Sequence, residues 1–215
     1  MKSKPVLPVD ELWESNDERS WRFALDRYWE MESAQKNLDL ERRMDALNPG
    51  RVKLLDEDEW YRFLHDEYFP WKFTQANFLA ANRRRLERSN RDQLYEIKNR
   101  LFEFSPENTE EGLKIAEAIP GLSTAGASGL LAILFPEKFA TVDQFVVKAL
   151  RQIKTLDQIN QIQTMNPKGL TISDGVVLIG ILRNKARENN SRFTTNFWTP
   201  RKIDMILWTY GRNGD

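Results

Sequence analysis

Residues 119–145 read IPGLSTAGASGLLAILFPEKFATVDQF, passing from a proline-glycine pair through very small residues to a lone aspartate. Proline stops a helix from propagating, and glycine adopts the left-handed conformation that commonly ends one, so Pro120-Gly121 predicts a helix end. The small residues that follow predict a second helix from about Thr124. We call this tight helix–turn–helix, residues 113–135, the hairpin, and we expect its two helices to approach closely.

A tight turn that opens a helix directs several backbone N–H groups towards one point outside the protein. That arrangement suits an anion such as a DNA phosphate. An ordinary helix corner, in which the small residues serve packing alone, is the alternative. Asp143 lies in the loop after the hairpin (136–145) and precedes QFVVKAL. It is either a functional carboxylate or simply the N-cap of the next helix, because Asp is a preferred N-cap residue.

The rest of the chain has a helical pattern. Apolar residues recur at three- and four-residue spacing, and no stretch alternates convincingly as a strand would. We expect an all-α globule of about ten helices. An Asn-Pro-Gly break at 48–50 separates an N-terminal helical arm (1–50), which packs on the core, from the main helical domain (51–215). Ser173 and the Thr-Pro pair at 199–200 are expected to begin helices.

The composition narrows the chemistry. The 215 residues include 32 basic and 32 acidic side chains, which gives a formal net charge of zero, and no cysteine. Disulfides, thiolate metal sites and cysteine nucleophiles are therefore excluded. His65 is the single histidine, so histidine clusters are excluded too. The longest apolar run, residues 130–135, is far too short to span a membrane. We expect a soluble, cytoplasmic monomer that uses no cofactor and contacts no membrane.

Charge is unevenly distributed despite the zero sum. Residues 83–100, RRRLERSNRDQLYEIKNR, are predominantly basic, whereas residues 56–67, DEDEWYRFLHDE, are predominantly acidic. A basic segment in a neutral protein can be a stripe that faces phosphates. The alternative is a solvated helix face with ion pairs between residues four apart.

Four features together resemble the helix-hairpin-helix superfamily of base-excision DNA glycosylases. They are the I-P-G-L turn, the small-residue helix, the loop, and T-V-D opening another helix, within residues 115–150. The resemblance implies two helical subdomains around a cleft that binds double-stranded DNA, with Asp143 as the catalytic carboxylate. It also implies that a phosphate is held by the backbone amides of Gly121, Leu122, Ser123, Thr124, Ala125 and Gly126. Some members bind a monovalent cation with hairpin carbonyls, which would be those of Ile119 and Leu122.

The chain departs from the family pattern at two hairpin positions. Ser123 replaces the second glycine of the usual P-G-x-G turn. Bifunctional members carry a lysine eighteen positions before the aspartate, and here that residue is Ala125. The iron–sulfur branch of the family is excluded because it needs four cysteines. The hairpin therefore predicts hydrolysis that stops at the abasic site, unless another helix brings Lys72 or Lys138 into the pocket.

A glycosylase must also hold the flipped base and fill the gap that it leaves. Aromatic and polar residues at loop–helix junctions are candidates, because such rings can stack on an extruded base. Core packing is the alternative for the tryptophans. The candidates for the pocket or the wedge are Trp71, Lys72, Gln75, Asn77, Trp198 and Arg201.

The sequence thus favours a monofunctional DNA glycosylase that acts on a damaged or hypermodified base, in repair or in defence against phage DNA. Two alternatives stay open: a non-catalytic hairpin protein that binds duplex DNA, and a helical interaction protein without a nucleic-acid role.

Overall fold

A computed structural model describes residues 6–31 and 37–213. Within these ranges the chain forms 13 helices, ten of them with seven or more residues, and no strand, which confirms the expected all-α class. The helices are Val9–Glu14, Glu18–Glu30, Leu38–Asp45, Pro49–Lys53, a continuous helix over 57–72, Ala76–Glu87, Arg91–Glu103, Thr109–Glu117, Thr124–Leu134, Gln144–Leu150, Ile159–Thr164, Ile172–Phe193 and Pro200–Asn213. No helix in the described ranges has the length and apolar character needed to cross a bilayer.

The second hairpin helix, Thr124–Leu134, is the centre of the globule. Ten of its eleven residues are buried, and the exception is Ala125, which is partly exposed. It packs against the first hairpin helix, Thr109–Glu117, and against the long helix Ile172–Phe193. A helix that is apolar on every side belongs in a core, and its small residues let the neighbouring helices come close.

The N-terminal arm packs on the C-terminal helix, Pro200–Asn213, through aromatic rings. Trp21 is fully buried, with the ring of Trp13 at 6.2 Å and that of Trp198 at 5.9 Å between centroids. Tyr28 lies edge-on to Trp208 at 5.7 Å. Burial of such large rings is a main source of stability for the contact between the two ends of the chain.

Of the two helix starts expected at Ser173 and at Thr199, one has the N-cap residue that the sequence predicted and the other begins at a different residue. Thr199 caps the C-terminal helix by accepting the Lys202 N–H at 3.3 Å. Ser173, however, lies inside the Ile172–Phe193 helix, so its predicted capping role is wrong. Thr171 begins that helix instead, since it forms a capping box with Asp174 in which each side chain bonds the other's backbone N–H.

Candidate functional site

Gly121 forms the tip of the hairpin and has a φ of 100°, a conformation that side chains disfavour. A methyl group at this position would lie 2.9 Å from the backbone oxygen of Asn82. The hairpin tip therefore packs directly on the backbone of the Ala76–Glu87 helix. The Leu122 N–H donates to the Ile119 carbonyl at 3.0 Å and closes the turn. The proposed cation at these carbonyls stays a prediction.

The helix after this turn begins with free amides. Ser123 is the exposed N-cap residue, and its side chain makes no capping hydrogen bond. Within the described residues, the N–H groups of Thr124, Ala125 and Gly126 have no hydrogen-bond acceptor, which is the state that an anion would satisfy. The Thr124 hydroxyl donates to Glu117 at 3.1 Å and is buried.

Asp143 caps the Gln144–Leu150 helix, and the cap occupies one carboxylate oxygen. Oδ1 accepts the N–H groups of Phe145 at 2.9 Å and Val146 at 3.3 Å. Within the described part of the chain, Oδ2 accepts no hydrogen bond. The carboxylate is half-buried. Capping and a second role are thus compatible in this residue, because one oxygen fixes the group and the other stays available.

The Asp143 loop is fixed on both sides. The Ser128 hydroxyl, on the second hairpin helix, accepts the Val142 N–H at 3.0 Å. The Thr141 N–H donates to Asp204 at 2.6 Å. After Asp143, the backbone of Phe145 packs so closely on Gly211 that a methyl group there would lie 1.9 Å from the Phe145 oxygen. The hairpin helix and the C-terminal helix together set the position of the carboxylate.

A buried polar network lies next to this loop and joins four separate segments of the chain. Arg201 is 5% exposed and pairs with Asp204 at 2.6 Å and with Glu41 at 3.3 Å. Glu41 also accepts the hydroxyl of Tyr28 at 2.5 Å and the indole N–H of Trp71 at 2.7 Å. Each of these side chains has at least one partner, which a buried charge needs in order to be tolerated, and within the described residues Arg201 Nε is the one buried atom of the group without a hydrogen bond.

One carboxyl of this network, that of Asp204, has an unusual pKa. Burial raises the pKa of Asp204 to about 7, although the Arg201 guanidinium and the Thr141 N–H both favour the ionised carboxylate. Burial alone would lower the pKa of Arg201, but the negative charges around it, Asp204 first, raise it above its ordinary value. Arg201 therefore stays charged, while Asp204 holds a proton up to a higher pH than an exposed aspartate does.

Lys72 reaches the same region from the end of the 57–72 helix. That helix contains a π-helical segment, Phe63–Tyr68, between two α-helical parts. Such segments shift the register of a helix face and are frequent at functional sites. Tyr68, at the end of the segment, donates to the Gly126 carbonyl at 2.5 Å, which fastens the helix to the hairpin. Burial lowers the pKa of Lys72, opposed by the charge of Asp143.

Of the other residues that the sequence suggested for the base pocket or the wedge, some are buried in the core and others are exposed on the surface. Trp198 is 1% exposed and its ring packs on Trp21 of the arm, as the core-packing alternative predicts, and its role as a pocket residue stays a prediction. Gln75 and Asn77 are exposed at the start of the Ala76–Glu87 helix, whose next turn contacts the hairpin tip. Phe78, which the sequence reasoning missed, is 56% exposed beside them. Phe78 is followed by Leu79, Ala80 and Ala81, so the sequence gives no sign that this one ring of an apolar run is exposed.

The basic stretch 83–100 divides between structure and surface. Lys98 is buried and donates to the Leu55 carbonyl and, at 3.1 Å, to the Lys53 carbonyl, so it serves the end of a helix. Arg91 stacks 3.0 Å from the centre of the Tyr61 ring. Arg84, Arg85, Arg88 and Arg100 are exposed. Arg84 and Arg85 lie on the helix whose backbone meets the hairpin tip, and Arg88 is its C-cap residue.

Comparison with known proteins gives no match: no family model, curated relative or solved structure is significantly similar to the chain. The glycosylase resemblance of the hairpin therefore stays a prediction.

Proposed function

We propose that this protein is a DNA glycosylase, which cleaves the N-glycosidic bond of a damaged or hypermodified base flipped out of double-stranded DNA. The observation that carries the proposal is the connection between the hairpin and the Asp143 loop. Ser128 bonds the backbone of Val142, one residue before Asp143, from within the helix whose first amides are free. An anion site and an available carboxylate oxygen are thus held in fixed relation, as a reaction on a phosphate-linked sugar requires.

The carboxylate suits the reaction electrostatically. Departure of the base leaves positive charge on the sugar, and a fixed negative charge beside it stabilises the transition state more than the ground state. Asp143 Oδ2 faces no donor in the described structure and can serve this role. The helix N-terminus on which the residue lies is a favourable place for negative charge. In the simplest route water attacks the sugar and leaves an abasic site.

The surface around the hairpin supports DNA binding. Arg84, Arg85 and the C-cap residue Arg88 are exposed after the hairpin contact, at the end of the Ala76–Glu87 helix. Phosphate contacts made by such side chains bind all sequences alike. Asn77 and Phe78 are exposed at the start of the same helix, where they can enter the stack in place of the flipped base. These positions make the Ala76–Glu87 helix the second element of the proposed interface.

A non-catalytic DNA-binding protein is the second candidate, and one observation favours it. Asp143 is a good N-cap that accepts two backbone N–H groups, which alone explains an aspartate at this position. Under this alternative the hairpin and the arginines bind duplex without chemistry.

Base release separates the two candidates. Purified protein is incubated with duplexes that each carry one damaged base, and with phage DNA that contains hypermodified bases, and released bases are identified by mass spectrometry. We expect release from one class of substrate. Salt-dependent duplex binding without any release across the panel would favour the non-catalytic alternative.

The variant Asp143→Asn tests the role of the carboxylate. Asn is also a good N-cap, so the fold should persist while the charge is lost. We expect base release to fall by at least ~100-fold, the usual cost of losing one electrostatic stabiliser. The matched control is Asp56→Asn, which makes the same change at another capping aspartate, whose side chain accepts the Glu59 N–H at 2.8 Å. Equal release by both variants would contradict a catalytic Asp143.

A further inference from the structure

The side chain of Lys72 lies against the second hairpin helix at a position that has room for it. A methyl group at Gly129 would lie 3.2 Å from Lys72 Cδ and 3.4 Å from Cε. A larger side chain at 129 would displace the lysine. Ala125 is four residues earlier and so lies on the same helix face, one turn away. The hairpin helix thus provides no amine of its own, and a lysine from a different helix lies along it.

The ammonium group of Lys72 is unusually free. Within the described ranges, its Nζ has no hydrogen-bond or ion-pair partner, whereas Lys98 and Lys185 are both bonded to carbonyl groups. Four charged groups act on Lys72 from greater distances: Asp143, Asp204 and Glu41 favour the charged form, and Arg201 opposes it. Burial outweighs the three carboxylates and lowers the pKa of Lys72. A lysine in such surroundings is more often neutral, and neutral amines are nucleophiles.

We infer that Lys72 is the attacking amine at the sugar carbon C1′, so that the protein nicks the strand after it releases the base. The inference rests on the proposed function, since it assigns a second reactive group to the region in which the charge of Asp143 acts on Lys72. It replaces the outcome that Ala125 alone predicts, which is hydrolysis that stops at the abasic site. Lys138, the other lysine in question, forms an ion pair with Glu107 and is half-exposed, so it has a structural partner already.

The chemistry balances without a cofactor. On an intact nucleotide, Nζ bonds to C1′ while the N-glycosidic bond breaks, and the base leaves with the electron pair. On an abasic site, Nζ adds to the C1′ aldehyde and water leaves. In the first route the C1′–O4′ bond then opens, and O4′ takes the proton that Nζ loses. Both routes thus give an iminium ion between Lys72 and the ring-opened sugar. Loss of a C2′ proton then expels the 3′ phosphate, and water hydrolyses the iminium to return the free lysine.

An abasic duplex tests this without knowledge of the natural base. The probe is an end-labelled duplex in which uracil has been removed enzymatically, incubated with the full-length protein and sodium borohydride. Borohydride reduces an iminium ion to a stable amine, so we expect a covalent protein–DNA adduct. Tryptic digestion and mass spectrometry should locate the adduct on Lys72. Strand nicking without alkali should accompany it.

Variants make the result specific. Lys72→Gln should lose both the adduct and the nicking, while Lys138→Gln should keep both at the level of the unaltered protein. Thermal unfolding of each variant checks that the fold persists. If Lys72→Gln does not fold, the residue that carries the adduct in the unaltered protein, located by mass spectrometry, still tests the inference. An adduct on another residue, or none, overturns the inference. Base release without an adduct would overturn the assignment of Lys72 but not the proposed glycosylase activity. An adduct at Lys72 without base release from any substrate would support the assignment of Lys72 and contradict base excision.

Discussion

Replacing Gly121 with alanine should destabilise the protein, because this position combines a disfavoured backbone with a lack of space. A φ of 100° costs a residue with a side chain on the order of 1–3 kcal/mol. The new methyl group would also lie 2.9 Å from the Asn82 backbone oxygen, and relieving such overpacking costs roughly 1–3 kcal/mol more. Reduced freedom of the unfolded chain offsets about 0.5–1 kcal/mol. The free energy of unfolding should fall by roughly 1–5.5 kcal/mol.

Gly180 provides a matched control within the same chain. It lies inside the Ile172–Phe193 helix, and a methyl group there would meet no atom within 4 Å. Gly180→Ala should therefore stabilise the protein by about 0.5–1 kcal/mol, since alanine is the better helix former. Because 1 kcal/mol corresponds to about 2–4 °C in a chain of this size, Tm should fall by roughly 2–22 °C in Gly121→Ala and rise by about 1–4 °C in Gly180→Ala.

Circular dichroism during thermal and urea unfolding measures both changes, and fluorescence anisotropy measures duplex binding at a temperature where both variants are folded. We expect Gly121→Ala to weaken binding equally on unrelated sequences, because a displaced turn loses phosphate contacts that carry no base information. A Gly121→Ala variant within about 0.5 kcal/mol of the unaltered protein would refute the strain argument. Unchanged affinity in a destabilised variant would show that the corner is structural alone.

Two further substitutions test how the Asp143 loop is held. Gly211→Ala would place a methyl group 1.9 Å from the Phe145 backbone oxygen, so the Asp143 loop must move. Base release should then fall by about 100-fold although Asp143 is intact. Unchanged release would show that the contact with Gly211 does not position Asp143. Asp204→Asn tests the raised pKa. The carboxyl of Asp204 ionises near pH 4 in the unfolded chain and near pH 7 in the folded one, so the unaltered protein should lose up to a few kcal/mol of stability relative to the Asn variant as pH rises from about 4 to about 7. Urea unfolding at several pH values measures the difference in stability between the two proteins. A difference that does not change with pH would contradict the raised pKa of Asp204.

The sequence predicted the local backbone features of the site better than the long-range side-chain contacts around it. The turn at Gly121, the helix from Thr124 and the capping position of Asp143 are local properties, set by residues within a few positions of one another. Backbone conformation and capping are determined at that range, so a sequence pattern can indicate them. The all-α class follows from the same kind of local periodicity.

The network around Arg201 could not be predicted in that way. Glu41 lies 160 positions before Arg201 and still forms an ion pair with it. Side-chain pairs at such separation leave no spacing signal in one sequence, since any of the 32 acidic residues is an equal candidate. Trp198 lies between a loop and a helix, a place that suggested access, yet its ring is buried and packs on Trp21, which is 177 positions earlier.

The small residues of the hairpin have more than one physical reason, and this limits what their spacing can predict. Gly121 is small because the Asn82 backbone touches it, and Gly126 because the Leu122 side chain does, at 3.1 Å from an added methyl group. These two contacts are ordinary packing and would suit any tight helix corner. Gly129 differs, because its neighbours are the hydroxyl of Tyr68 and the methylenes of Lys72, both polar-ended side chains from another helix. The space at Gly129 therefore admits the Lys72 side chain along the hairpin helix, which packing between two apolar helices would not require.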